Sequence, residues 1–231
     1  MPEAEDVILA ASERAVAAAR ALWRHKASPD ARGVTLDELE GTLGFLLTAC
    51  VGGRWPLVSS DAPSPAGWLT RRLGRPPPWE LEPPARGFSD GTQIFLPHRL
   101  ELARAEIDDG QALRLLALSL GQRIQSGSLA LCPARPVARD LFWAADGARI
   151  DGWLVEELPG LGDAVASARR HALACRPALR SLTPAERSVE TLVCELLRED
   201  PVAKTAKACV AWAIDRERAL PFDGRYRGMS R

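Results

Sequence analysis

The stretch DLFWAADGARIDGWLVEELPGL, Asp140 to Leu161, decides how the chain is read. It concentrates Phe142, Trp143 and Trp153, an acid-rich series at Asp140, Asp146, Asp151, Glu156 and Glu157, and a terminal Pro159-Gly160. The pattern predicts one or two helices stopped at the Pro-Gly pair, since proline has no N–H to continue a helix and glycine tolerates the left-handed turn beyond it. Asp146 and Arg149 stand three apart, the spacing of an intrahelical ion pair, and Asp151 reaches the same guanidinium only if the helix bends. The residues therefore suggest a structural polar lock of Asp146, Arg149 and Asp151, fenced by Phe142, Trp143 and Trp153. The competing reading is a pair of catalytic carboxylates within Asp140–Glu157, as in a carboxylate-dependent hydrolase.

Outward from this stretch the chain is helical in character. Leu113, Leu116, Leu120 and Ile124 recur at helical spacing before it. Behind it, TPAERSVETLVCELLRE offers Thr183 as cap, Pro184 at the first helical position and Glu186 as the reciprocating acid. The last helix is expected over Val202–Leu220. Thr35 and Glu38 open another helix with the same capping box, stopped at Gly52-Gly53, and Glu3–Lys26 and the segment SPAGWLTRRLG read as two more. Between residues 75 and 86, RPPPWELEPPAR carries five prolines in twelve positions, which excludes helix or central strand. Beyond it Asp90-Gly91 supplies a turn and Thr92–Leu96 the best strand signal, for which WELE is the nearest partner. The expectation is a mainly α fold with a small β element near residues 79–96. Its organisation is an N-terminal helical segment (1–74), a Pro-rich linker (75–86), a helical scaffold domain (87–220) and a tail (221–231).

Composition removes several classes of function. Lys plus Arg and Asp plus Glu balance at 30 each, so no global positive field holds a nucleic-acid backbone. The longest apolar runs, such as LGFLLTACV from Leu43 to Val51, are too short for the ~20 residues a membrane span needs. These features imply a soluble, cytoplasmic chain. The five cysteines form no CxxC pair and read as buried free thiols. The three histidines stand far apart without HExxH spacing, and neither a Ser-nucleophile elbow nor a phosphate loop is present. No metal or cofactor is expected, and no catalytic residue. Arg169, Arg170, Arg176 and Arg180 form a basic stretch that suggests an interaction surface, or alternatively an Arg-based anion-binding module.

In their order, FSDGTQIFLP, the long apolar helix, ARDLFWAADGARIDGWLVEELPGL and RPALRSLTPAERSVETLVCELL resemble the region upstream of the von Willebrand A domain in the NorD/CbbO group of proteins. LDELEGTLGFLLTACVGG fits as well, so the resemblance spans roughly Thr35 to Glu199. It implies a non-catalytic adaptor that assists a MoxR-type AAA+ ATPase in activating or remodelling a target enzyme, of nitric oxide reductase or Rubisco type. Two departures stand out. The helix after the DG…LP strand lacks the histidines often found in the family, and Asp146 stands where relatives tend to carry Glu. The A domain of relatives is expected to begin near where this sequence ends.

Overall fold

A computed structural model describes residues 34–60, 87–98, 107–199, 201–220 and 226. The expected helices over Glu3–Lys26 and SPAGWLTRRLG, the WELE segment and the 75–86 linker lie outside the described residues, as does the 221–231 tail apart from Tyr226. What is described is mainly α, six helices with a three-stranded sheet.

Helix α1 (Leu36–Leu46) begins at the predicted cap, with the Thr35 amide donating to Glu38 Oε2 at 3.3 Å. It buries Leu36, Leu39, Leu43 and Leu46 along one face. The helix then widens into a π turn over Leu47–Val51 and ends at Gly52, whose φ of +80° is the left-handed conformation that glycine adopts without strain.

The sheet comprises β1 (Leu57–Ser60), β2 (Phe88–Ser89) and β3 (Ile94–Pro97), in the order β1-β3-β2. Asp90 makes the predicted turn. Its Oδ1 accepts from the amides of Thr92 and Gln93, both at 2.8 Å, and these donors hold its carboxyl below the usual range. Phe88 and Phe95 stack across the β2–β3 pair with centroids 4.4 Å apart.

One expectation about the sheet is corrected. The strand starts at Ile94, because Thr92 and Gln93 are used by the Asp90 turn. Among the described residues β3 is central, flanked by β2 and by a parallel β1 that sets Leu57 opposite Ile94 and Ser60 opposite Pro97. Parallel strands meet only through a long crossover, so the β1 partner is distant in sequence.

Helix α2 (Asp109–Gln125) is capped by Asp108, whose Oδ1 accepts from the Gln111 amide at 2.9 Å. Helix α3 (Pro136–Glu157) carries the opening stretch as one unbroken helix of 22 residues, about 33 Å long. Pro159 ends it, and α4 (Gly162–Ala174) follows after one 3-10 turn. Helix α5 (Pro184–Arg198) starts with the Thr183–Glu186 capping box. Helix α6 (Ala206–Ala219) starts later than expected, because Thr205 Oγ1 accepts from Ala208 N at 3.2 Å and so sets the first turn. Among the described residues no helix is long and apolar enough to cross a membrane.

Two apolar clusters organise these elements. The first joins α1, β3, α2 and α4 around Leu43, Leu47, Ile94, Leu96 and Leu118. The second joins α5 and α6 through Val189, Val193, Cys209 and Ala213. Helix α3 enters both: Val137, Leu141, Phe142 and Ala145 belong to the second cluster, Ile150 and Leu154 to the first.

Where α1 and α2 meet, the backbone of Gly121 approaches closely. A Cβ there would lie 2.6 Å from Leu47 Cδ2 and 3.3 Å from Trp55 Cζ3, so the fully buried Leu47 side chain would have to shift within the core. An exposed helical Gly→Ala change would gain about 1 kcal/mol of helix propensity. Gly121→Ala is instead expected to lose about 1–3 kcal/mol through overpacking, checked by urea unfolding.

Candidate functional site

The polar lock lies where α3 passes from one cluster to the other. Asp146 is fully buried and Arg149 is 7% exposed. Arg149 Nε and Nη2 both donate to Asp146 Oδ1, at 2.9 and 2.8 Å, as the i, i+3 spacing predicts. Two serines from the turn after α2 complete the junction. Ser128 Oγ donates to Asp146 Oδ1 at 3.0 Å, and Arg149 Nη2 donates to Ser126 Oγ at 3.1 Å. Arg123, on α2, lies with its Nε 3.6 Å from Asp146 Oδ2, too far for a hydrogen bond, while its guanidinium sits 4.9 Å from the centre of the Trp143 ring. Cys209 from α6 closes the far side. Its thiol is pushed up to about 11 by burial first and by the Asp146 charge second.

Asp151 does not belong to this lock. Its carboxylate pairs with Arg169 of α4 instead of Arg149, with Nε to Oδ2 at 2.8 Å. Burial pushes the Asp151 carboxyl above its usual range, an effect only partly offset by that guanidinium. The aromatic fence divides as well: Phe142 and Trp143 pack in the second cluster, and Trp153 packs against the first.

The expected basic surface is partly consumed inside the fold. Besides Asp151, Arg169 donates to the carbonyls of Ala148 and Glu199 at 3.3 Å each. Arg176 forms a bidentate pair with the fully buried Glu190. Nearby, Tyr226 Oη donates to Asp140 Oδ2 at 2.8 Å, so a residue of the expected tail caps the start of α3. Arg170 and Arg180 remain exposed, the former donating from Nη2 to Ser167 Oγ at 2.8 Å.

Pockets open at two places among the described residues. One of about 840 Å³ lies against α1 and β1, lined by residues including Phe45, Trp55, Pro56 and Glu40. The other, about 230 Å³, lies between α2, α3 and α4, with Ser119, Asp151 and His171 on an apolar wall. Ser, His and Asp in one pocket invite comparison with a nucleophile triad, but no hydrogen bond joins them among the described residues. His171 Nε2 contacts Cys175 Sγ at 3.5 Å, and Asp151 is bound to Arg169. Among the described residues no three His, Cys, Asp or Glu side chains gather as a metal site requires. All five cysteines are free, and Cys175 is exposed while Cys209 is buried.

The sequence singled out Asp146 and Arg149 but missed Arg123, Ser128 and Cys209 beside them. The SGS motif at Ser126–Ser128 was the available signal, its hydroxyls serving as partners for a buried ion pair rather than as nucleophiles. Comparison of the chain with family models, curated proteins and solved structures returned no match.

Asp146→Ala leaves Arg149 buried without its acid and is expected to cost about 3–5 kcal/mol. In a double-mutant cycle with Arg149→Met, the double variant should fall short of the summed losses by about 1–3 kcal/mol in denaturant unfolding. For Cys209 the folded state keeps the proton while the unfolded thiol loses it. Stability therefore falls as pH rises from the ordinary 9.0 towards about 11. Cys209→Ala, followed over the same range, should lose less stability than the parent chain.

Proposed function

We propose that this chain is a non-catalytic scaffold region of the NorD/CbbO-like kind, a cytoplasmic adaptor that helps a MoxR-type AAA+ ATPase act on a target enzyme. One observation carries the non-catalytic part of the reading. The acids of Asp140–Glu157 that are buried or half-buried are matched one by one, Asp140 by Tyr226, Asp146 by Arg149 and Asp151 by Arg169. Neither described pocket brings two carboxylates together. Paired acid–base chemistry needs two carboxyl groups facing one substrate, and a set of acids each spent on its own partner suits a frame better. The adaptor part rests on the order of sequence segments that resemble the NorD/CbbO group.

The docking surface in this reading includes the exposed Arg170 and Arg180, with Leu179, next to Arg180 in the chain, 44% exposed. An exposed apolar residue among arginines is the composition of many interface patches. The test mixes the full chain with a purified MoxR-type ATPase and follows co-elution with and without ATP. Co-elution is expected, and Arg170→Glu combined with Arg180→Glu should weaken it while circular dichroism stays unchanged. Absence of co-elution in either nucleotide state overturns the adaptor reading. Co-elution untouched by the double variant moves the interface elsewhere.

A further inference from the structure

The pocket between α2, α3 and α4 has an organisation that the adaptor reading leaves unused. Its wall is largely hydrocarbon, with Leu115, Leu154 and Val165 among the side chains, and three polar groups interrupt it: Ser119, Asp151 and His171. Each of the two ionisable groups is engaged on one side only. Asp151 Oδ2 accepts from Arg169 Nε, and its Oδ1 accepts no hydrogen bond among the described residues. His171 touches Cys175 through Nε2, which leaves Nδ1.

We propose that this pocket binds a small uncharged molecule with an apolar body and one hydrogen-bond donor, of the kind of an arylalkyl alcohol, with the donor directed at Asp151 Oδ1. Size, charge and hydrogen bonding each narrow the class. A cavity of 150 Å³ lined by apolar side chains is known to accept benzene, so 230 Å³ has room for about nine non-hydrogen atoms. An anion would meet the Asp151 carboxylate in the pocket wall, and a cation would have to compete for that carboxylate with Arg169, which already pairs with it. A neutral O–H adds a bond without adding charge. Burial raises the Asp151 carboxyl's proton affinity, and a bound hydroxyl would give the buried carboxylate a further donor.

The experiment titrates the full chain, methyl-labelled at Ile, Leu and Val, with 2-phenylethanol and separately with benzyl methyl ether. Both have nine non-hydrogen atoms, and the ether lacks the donor. Saturable shifts are expected at the methyls of Ile107, Leu115, Leu154 and Val165, with the alcohol binding about tenfold tighter than the ether. Ala168→Phe should fill the pocket and abolish the shifts, and Ala112→Leu serves the same purpose if the first variant fails to fold. Equal affinities for the two ligands overturn the role of Asp151. Absence of saturable shifts, or shifts that persist in a folded pocket-filled variant, overturns the site.

Discussion

Helix α3 has to lie in two apolar cores at once, and the Asp146–Arg149 pair occupies the place where it passes from one to the other. Residues up to Ala145 pack with α5 and α6, while those from Ile150 join the cluster built with α2 and α4. A helix with apolar residues in both places and only hydrocarbon between them could slide or rotate at little cost. The buried pair makes such displacement expensive, since a shift would separate a desolvated carboxylate from its guanidinium and from Ser128. A buried ion pair adds little net stability against an apolar replacement, so its contribution here is to register, fixing which part of α3 belongs to which core.

The same logic extends to α4 and α5. Asp151–Arg169 ties α3 to α4, and Glu190–Arg176 ties α5 to the segment that follows α4. Each tie uses an arginine, whose planar guanidinium can hold a carboxylate and further acceptors at once, as Arg169 does with two backbone carbonyls. The chain's charge balance thus has a structural counterpart, with much of the positive charge in the Arg169–Arg180 stretch turned inward.

Much of the local chemistry was legible in the sequence where the partner lies within a few residues, although the Thr205 cap three residues before Ala208 was missed. Both capping boxes, the Asp90-Gly91 turn, the Gly52 stop and the i, i+3 pair of Asp146 and Arg149 could be read from spacing alone. Contacts set by tertiary packing were not legible. Arg169 reaches Asp151 from 18 residues away, Ser128 reaches Asp146 across the same separation, and β1 pairs with β3 across more than thirty positions. Nothing in the pattern of LVSS marks it as the parallel neighbour of a later strand. Asp151 was assigned to the wrong guanidinium for the same reason, because spacing along one helix favours Arg149 and only the placement of α4 brings Arg169 near.

The π turn at Leu47–Val51 bears on how the chain can vary in length. A π turn holds one residue more than the α turn it replaces, and residues four apart in it lie almost in line, which lets Leu47 and Val51 enter the same core. Removing one residue there would leave a regular α-helix that turns through nearly the same angle, because the wide turn spends five residues on the rotation an α turn makes with four. Gly52 and the approach to β1 would keep their heading. The π turn thus absorbs a residue without redirecting the chain, whereas a residue added or removed in the regular part of α1 would rotate everything downstream by roughly 100°.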